Sequence, residues 1–172
     1  LYGQKYHCWK EKGHGYMNLR NAIKQSCDTY FYEAARKLGV DRLNKTGLKS
    51  LPKKCIPLEA NEAYKGKTDY ILVFGSETEI KALKPNLKNI SDLDARGLVV
   101  TAKGDACDFV SRFFGPQSGI DEDPVTGSAH TSLTPIWAKK LNKSKLSAVQ
   151  LSERKGWLMC KNLQDRVEIS GS

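Results

Sequence analysis

Residues 119–130, "GIDEDPVTGSAH", concentrate the side chains best able to do chemistry. Three acids, Asp121, Glu122 and Asp123, come before a proline and a Gly-Ser-Ala turn that leads into a helix-forming stretch. Pro124 biases Asp123 towards extended backbone and stiffens the loop. Gly127 permits close approach or a positive φ, and Ser128, Ala129 and His130 then supply the free N–H groups of a helix's first turn. Such amides, at the positive end of a helix dipole, suit a carboxylate or a phosphate. Asp123 at the mouth of that site could steer an ammonium group or hydrogen-bond a substrate, and Ser128 could donate through its hydroxyl. The same residues admit a plainer reading, in which Thr126 or Ser128 caps the helix and the acids complement its dipole. His130 reads as a structural residue.

These residues need a scaffold, and its elements can be read on both sides. The helix is expected to run to about Leu141, with Asn142 in the left-handed position that closes it. Pro135 should kink or restart it, because proline removes a donor and crowds the carbonyl of Thr131. Three apolar strands precede the loop, "DYILVF" (69–74), "GLVVTA" (97–102) and "CDFVSRFF" (107–114), and three follow the helix, "LSAVQLS", "GWLMCK" and "DRVEIS". "SETEIKALKP" reads as a short helix, with Ser76 and Glu79 spaced as a capping box and Pro85 as its stop. Near the N-terminus an amphipathic helix is expected, with Asn18 as N-cap, an apolar face of Leu19, Ile23, Cys27, Phe31, Ala34 and Leu38, and Gly39 at its end. Residues 44–54, "NKTGLKSLPKK", are polar and broken by Gly and Pro, which places a boundary there. Strands and helices mix without a regular βαβ repeat, so an α+β fold is expected.

Composition narrows the function classes. With 40% hydrophobic and 27% charged residues in 172, the chain can build a core and is too apolar for disorder. The net charge of +9 lies mostly in residues 1–50, which hold ten Lys and Arg against four Asp and Glu. The lysines are scattered and no stacking-aromatic motif accompanies them, so a solvated basic surface is expected, not nucleic-acid binding. The five cysteines, Cys8, Cys27, Cys55, Cys107 and Cys160, are widely spaced with no C-x-x-C pair. That pattern is neither a disulfide framework nor a zinc signature and suits reduced thiols. Apolar runs are as short as "ILVF", so no membrane span is expected. There is no signal-peptide pattern, and the start at Leu1 points to a fragment or processed chain. The cytoplasm is the expected compartment.

The stretch "RFFGPQSGIDEDPVTGSAHTSLTPIWAKKL", with "GLVVTAKGDACDFVSRFF" before it and "LSAVQLSERKGWLMCKNLQDRVEISG" after it, resembles the C-terminal half of the phenazine-biosynthesis (PhzF-like) isomerases. The likeness runs from about Leu51 to Gly171, and "EDPVTGSAH" is its most specific motif. It implies one half of a diaminopimelate-epimerase-like fold, a mixed sheet wrapped around a central helix, with the active site between two such halves. It also implies proton transfer at carbon without a cofactor or metal. Asp123 and Ser128 would be catalytic, and Thr126, Gly127 and Ala129 would bind the substrate, the amides of Gly127 and Ser128 holding its carboxylate. The family's acid/base glutamate and a histidine come from the N-terminal half, in motifs that these 172 residues do not contain. Glu11 and Glu33 are the glutamates of the N-terminal segment that could reach the cleft.

Residues 1–43, with "YHCWKEKGHGYMNLRNAIKQSCDTYFYEAARKLGVDRL", resemble a stretch of the elongation-type penicillin-binding transpeptidases, in which Ser26 and Asp28 would match a Ser-x-Asp element. "KTG" at 45–47, "SLPK" at 50–53 and "SERK" at 152–155 stand in the wrong order or setting for that chemistry. Pro52 alone spoils the turn that would bring Ser50 to Lys53. Two pieces are therefore expected, an N-terminal helical appendage over residues 1–50 and an isomerase-like domain over 51–172. The expected partners are a small carboxylate-bearing substrate and, through the resemblance, a second copy in a homodimer. A transpeptidase fragment and a non-catalytic carboxylate- or partner-binding module are the alternatives.

Overall fold

The computed structural model describes residues 44–46 and 55–171. The chain divides into two compact units, Leu1–Val40 and Asp41–Ser172. The amphipathic helix expected over 19–38, together with Glu11, Ser26, Asp28 and Glu33, lies outside the described residues.

The second unit is built on one mixed sheet of eight strands whose spatial order is their order in sequence. The strands are β1 (Asn44–Thr46), β2 (Glu62–Lys65), β3 (Asp69–Val73), β4 (Gly97–Lys103), β5 (Phe109–Phe114), β6 (Lys145–Gln150), β7 (Gly156–Asn162) and β8 (Val167–Gly171). Neighbours run antiparallel except β3 with β4 and β5 with β6. A parallel pair needs a crossover, and each crossover here carries helix. Between β3 and β4 lie α1 (Glu77–Ala82) and α2 (Leu87–Ser91), and between β5 and β6 lies α3 (Gly127–Leu141).

The two crossovers cover opposite faces of the sheet, and strand alternation shows which residue serves which face. Leu72, Leu98, Val100, Ala102, Val110 and Phe114 join Ile80, Leu83 and Ile90 of the α1–α2 crossover in one apolar cluster. Their sequence neighbours Ile71, Val73, Val99, Phe109 and Phe113 join Ala129, Leu133, Ile136 and Trp137 of α3 in another. That second cluster also takes Leu146 and Ala148 of β6 and Leu158 and Cys160 of β7. Because six successive strands, β3 to β8, contribute to the cluster around α3, this helix is the centre of the unit. Trp137 fixes its depth. The indole stacks on Phe109 at 5.8 Å and donates to Thr101 Oγ1 at 2.9 Å, which satisfies a polar atom that burial would otherwise penalise.

The α+β expectation and the six predicted strands stand, as does the helix over 77–82, where Ser76 and Glu79 form the capping box. α3 ends at Asn142, whose φ of 52° and ψ of 46° are left-handed as expected. The helix does not restart at Pro135, because α3 runs through it as a single element. Neighbouring hydroxyls fold back onto the same helix: Thr134 Oγ1 donates to the carbonyl of His130 and Thr131 Oγ1 to that of Ser128, both at 2.6 Å. Two strands and a helix had no clear signal. β1 falls inside the polar stretch 44–54, and β2, "EAYK", and α2, "LKNIS", are short and mostly polar. Among the described residues no helix is long and apolar enough to cross a membrane.

Candidate active site at the start of the central helix

The loop 119–126 is shaped from its two ends. At its base Gly119 takes a φ of 78°, a conformation that other residues rarely adopt. Gly115 and Ile120 then pair in an antiparallel bridge, and Asp123 N–H donates to the Phe113 carbonyl at 3.1 Å. The loop therefore folds back along the end of β5. The three consecutive acids have three different fates. Asp121 is exposed. Glu122 takes a two-pronged ion pair from Arg112 at 2.7 and 2.9 Å, while Arg112 also donates to the last carbonyls of the α1 region, Ile80 and Leu83. Asp123 accepts the Thr126 hydroxyl at 2.5 Å.

The far end of the loop is held by a residue of β6. Gln150, 1% exposed, accepts the Thr126 N–H through Oε1 at 2.8 Å. Its Nε2 donates to the Asp123 carbonyl at 2.6 Å and to Thr126 Oγ1 at 3.1 Å. Ser152 adds a bond to the Pro124 carbonyl at 2.7 Å. His130, fully buried, contacts the Thr126 carbonyl through Nδ1 at 2.8 Å and Ser111 Oγ through Nε2 at 3.3 Å. A carbonyl can only accept, so Nδ1 carries the proton and Nε2 receives the serine hydroxyl. Burial pushes the imidazole below its ordinary pKa, against the opposing effect of the Thr126 bond, and keeps it neutral. The expectation that His130 is structural holds.

This bracing leaves the helix start open. Thr126 occupies the N-cap position but makes no side-chain cap, because its hydroxyl points to Asp123. Nor is there an acid in the helix's first turn, so the capping reading of this loop is corrected. Gly127 and Ser128 are exposed, and a Cβ built on Gly127 meets nothing within 4 Å. Ala129 is buried at 2% exposure in the cluster around α3, so the structure does not offer it to a ligand. Thr126 has its N–H engaged by Gln150 of β6 and its hydroxyl by Asp123, so its part is to hold Asp123. Ser128 is met from a different element. Arg96, at the foot of β4, donates from Nη1 to Ser128 Oγ at 2.9 Å and forks onto Asp69 at 2.9 and 2.5 Å. Its guanidinium lies 5.2 Å from the ring centre of Phe113, the residue whose carbonyl receives Asp123 N–H.

Asp123, Gly127 and Ser128 thus lie together at the accessible helix start, while Thr126 and Ala129 are buried beneath it. Sequence reasoning missed Gln150, Ser152, Arg96 and Asp69. Gln150 carried a faint signal as an uncharged polar residue at an inward position of an apolar strand. The other three had none, since each reaches the loop across more than 20 positions of sequence.

The family of phenazine biosynthesis-like proteins matches residues 26–172. The chain belongs to this family. Two uncharacterized isomerases of Pseudomonas aeruginosa are similar to it. One is 52% identical over 103 residues, covering 60% of this chain and 40% of the relative. The other is 51% identical over 107 residues, covering 62% and 41%. A crystal structure of a PhzF-family protein from Enterococcus faecalis superposes with a TM-score of 0.69 at 40% identity, covering 74% of this chain and 49% of that one. The chain therefore spans less than half the length of these relatives. The family match begins inside the stretch 1–43 that was likened to transpeptidases, and nothing in these comparisons supports that likeness. "SERK" is a turn between β6 and β7 in which Ser152 serves the Pro124 carbonyl, so it has no nucleophile setting. Among the described residues no three His, Cys, Asp or Glu converge as a metal site would require.

Proposed function

We propose that this chain supplies one face of the active site of a PhzF-like isomerase that moves a proton at carbon on a small carboxylate-bearing substrate, without a cofactor. The observation that carries the reading is the braced but uncapped start of α3: exposed amides at Gly127 and Ser128 beside a carboxylate, Asp123, fixed by Thr126. Amides at a helix start hold a carboxylate in place. A fixed Asp123 and the Ser128 hydroxyl then stand where a substrate's polar groups would be oriented. The remaining acid/base group, a glutamate by resemblance, belongs to the other half of a diaminopimelate-epimerase-like pair. Family membership and two relatives called isomerases support this assignment.

The test is a titration of the isotopically labelled chain with acetate and with inorganic phosphate, followed by amide NMR. Saturable shifts at Gly127 to His130 are expected, weakened by Ser128→Ala and by Asp123→Asn. A well-dispersed spectrum with no specific shift at these amides would remove the site.

A further inference from the structure

The donors around Ser128 fix which way its hydroxyl works. A guanidinium has no acceptor, so at 2.9 Å Arg96 Nη1 must donate and Ser128 Oγ must accept. The hydroxyl proton is then directed away from Arg96, on a residue that is exposed at the helix start. Arg96 cannot easily turn aside. Its Nε and Nη2 are taken by the two oxygens of Asp69, a planar fork that fixes both distance and orientation. Asp69 is 7% exposed and also accepts from Thr68 Oγ1 at 3.1 Å. The Arg96 backbone N–H donates to the Thr68 carbonyl, so side chain and main chain are tied to the same corner before β3. Phe113 lies under the guanidinium, and its ring packs so closely on Gly97 that a Cβ there would sit 2.5 Å from it.

We propose that Asp69 and Arg96 are positioning residues that hold the Ser128 hydroxyl as an outward hydrogen-bond donor to the substrate carboxylate. The assignment rests on the reading of the α3 start as a carboxylate site, and it gives Arg96 an indirect part. Each of its three nitrogens already has a protein partner, which fixes its plane; direct anion binding through the two remaining N–H groups is the alternative that the test separates.

Two measurements on the whole chain test it. The first needs no ligand: at low temperature the Arg96 Nη1 protons should be resolved and show a cross-peak to the Ser128 side chain, both lost in Asp69→Asn. Absence of that signature in the wild type overturns the clamp. The second is the acetate titration at 0.15 M salt, where long-range charge effects are screened. Arg96→Gln and Asp69→Asn are each expected to weaken acetate about fivefold, the scale of one lost hydrogen bond, and to have no further effect in the Ser128→Ala background. Arg96→Lys, which keeps a donor, should recover part of the loss. If Arg96 instead bound the anion directly, Asp69→Asn would free its charge and tighten acetate, and the losses in Ser128→Ala and Arg96→Gln would multiply. Either result overturns the clamp while leaving the site standing. An intact clamp on a wild-type chain that binds no acetate takes down the carboxylate reading, and the purpose assigned to the clamp with it.

Discussion

Gln150 shows how one buried side chain can set the shape of a loop. Its amide has an acceptor and a donor in fixed geometry, and both are matched: Thr126 N–H on one side, the Asp123 carbonyl and Thr126 Oγ1 on the other. Gln150→Leu keeps the volume but strands the Thr126 N–H and the Asp123 carbonyl. Urea denaturation is expected to show a loss of about 1–3 kcal/mol, the penalty for buried polar groups left unpaired. His130 contributes a pH dependence whose sign follows from its burial. Its folded pKa lies below the ordinary 6.5, so between the two values the unfolded chain binds more protons. The contribution is complete above the unfolded value and is lost as pH falls through 6.5 towards the lowered folded value. Thermal midpoints should therefore drop between pH 7.5 and 5.5, and His130→Gln should flatten that slope whatever its own midpoint. An equal slope in the variant would assign the dependence elsewhere.

At the level of elements, the loop before α3 is set by what packs against it. Gly156 opens β7, and a Cβ at that position would stand 2.1 Å from Val125 Cγ2. Valine is branched at Cβ and cannot rotate its methyls clear, so Gly156→Ala must push the loop itself. A loss of about 1–3 kcal/mol is expected from such overpacking, with the amides of 123–128 displaced in the NMR spectrum and acetate binding weakened. Unchanged amide positions would mean that β7 yields instead. The reading of elements from sequence succeeded where pattern was strong. The run "DYILVF", the capping box at Ser76 and Glu79, and the left-handed Asn142 each fix local backbone with residues a few positions apart. It failed at "EAYK", which is a strand because β3 offers it an edge, and at residues 44–46, which pair with "EAYK" in turn, both nonlocal causes. At Pro135 the helix continues where a restart was expected, since α3 is enclosed by β-strand side chains that hold it on both sides of the proline.

For the molecule as a whole, the proposed function raises the question of what one face of a cleft can do. The chain covers 40% and 41% of the two Pseudomonas relatives, and the acid/base motifs that the family resemblance implies are not among its 172 residues. General acid–base catalysis requires the base within hydrogen-bond reach of the proton it moves. In D2O, this chain alone is expected to incorporate no more than trace deuterium at the carbon next to the carboxylate in a panel of small amino and hydroxy acids. Rapid incorporation would show that the acid/base group lies within these residues and would redraw the site.

The sequence by itself determined the parts that depend on near neighbours: the alternation that builds the strands, the Pro-Val-Thr-Gly-Ser turn into α3, and the motif that carried the family resemblance. It also brought Asp123 and Ser128 onto one short segment, so their joint presence in the proposed site follows from chain proximity alone. Only the tertiary structure decided that Thr126 would turn its hydroxyl to Asp123 and leave the helix uncapped, because that depends on Gln150 arriving from β6. It likewise decided which donor meets Ser128, since Asp69 and Arg96 come together across 27 positions through the parallel pairing of β3 with β4. Hydrogen-bond partners are chosen by distances of a few tenths of an ångström, and the folded sheet sets those distances where sequence spacing does not.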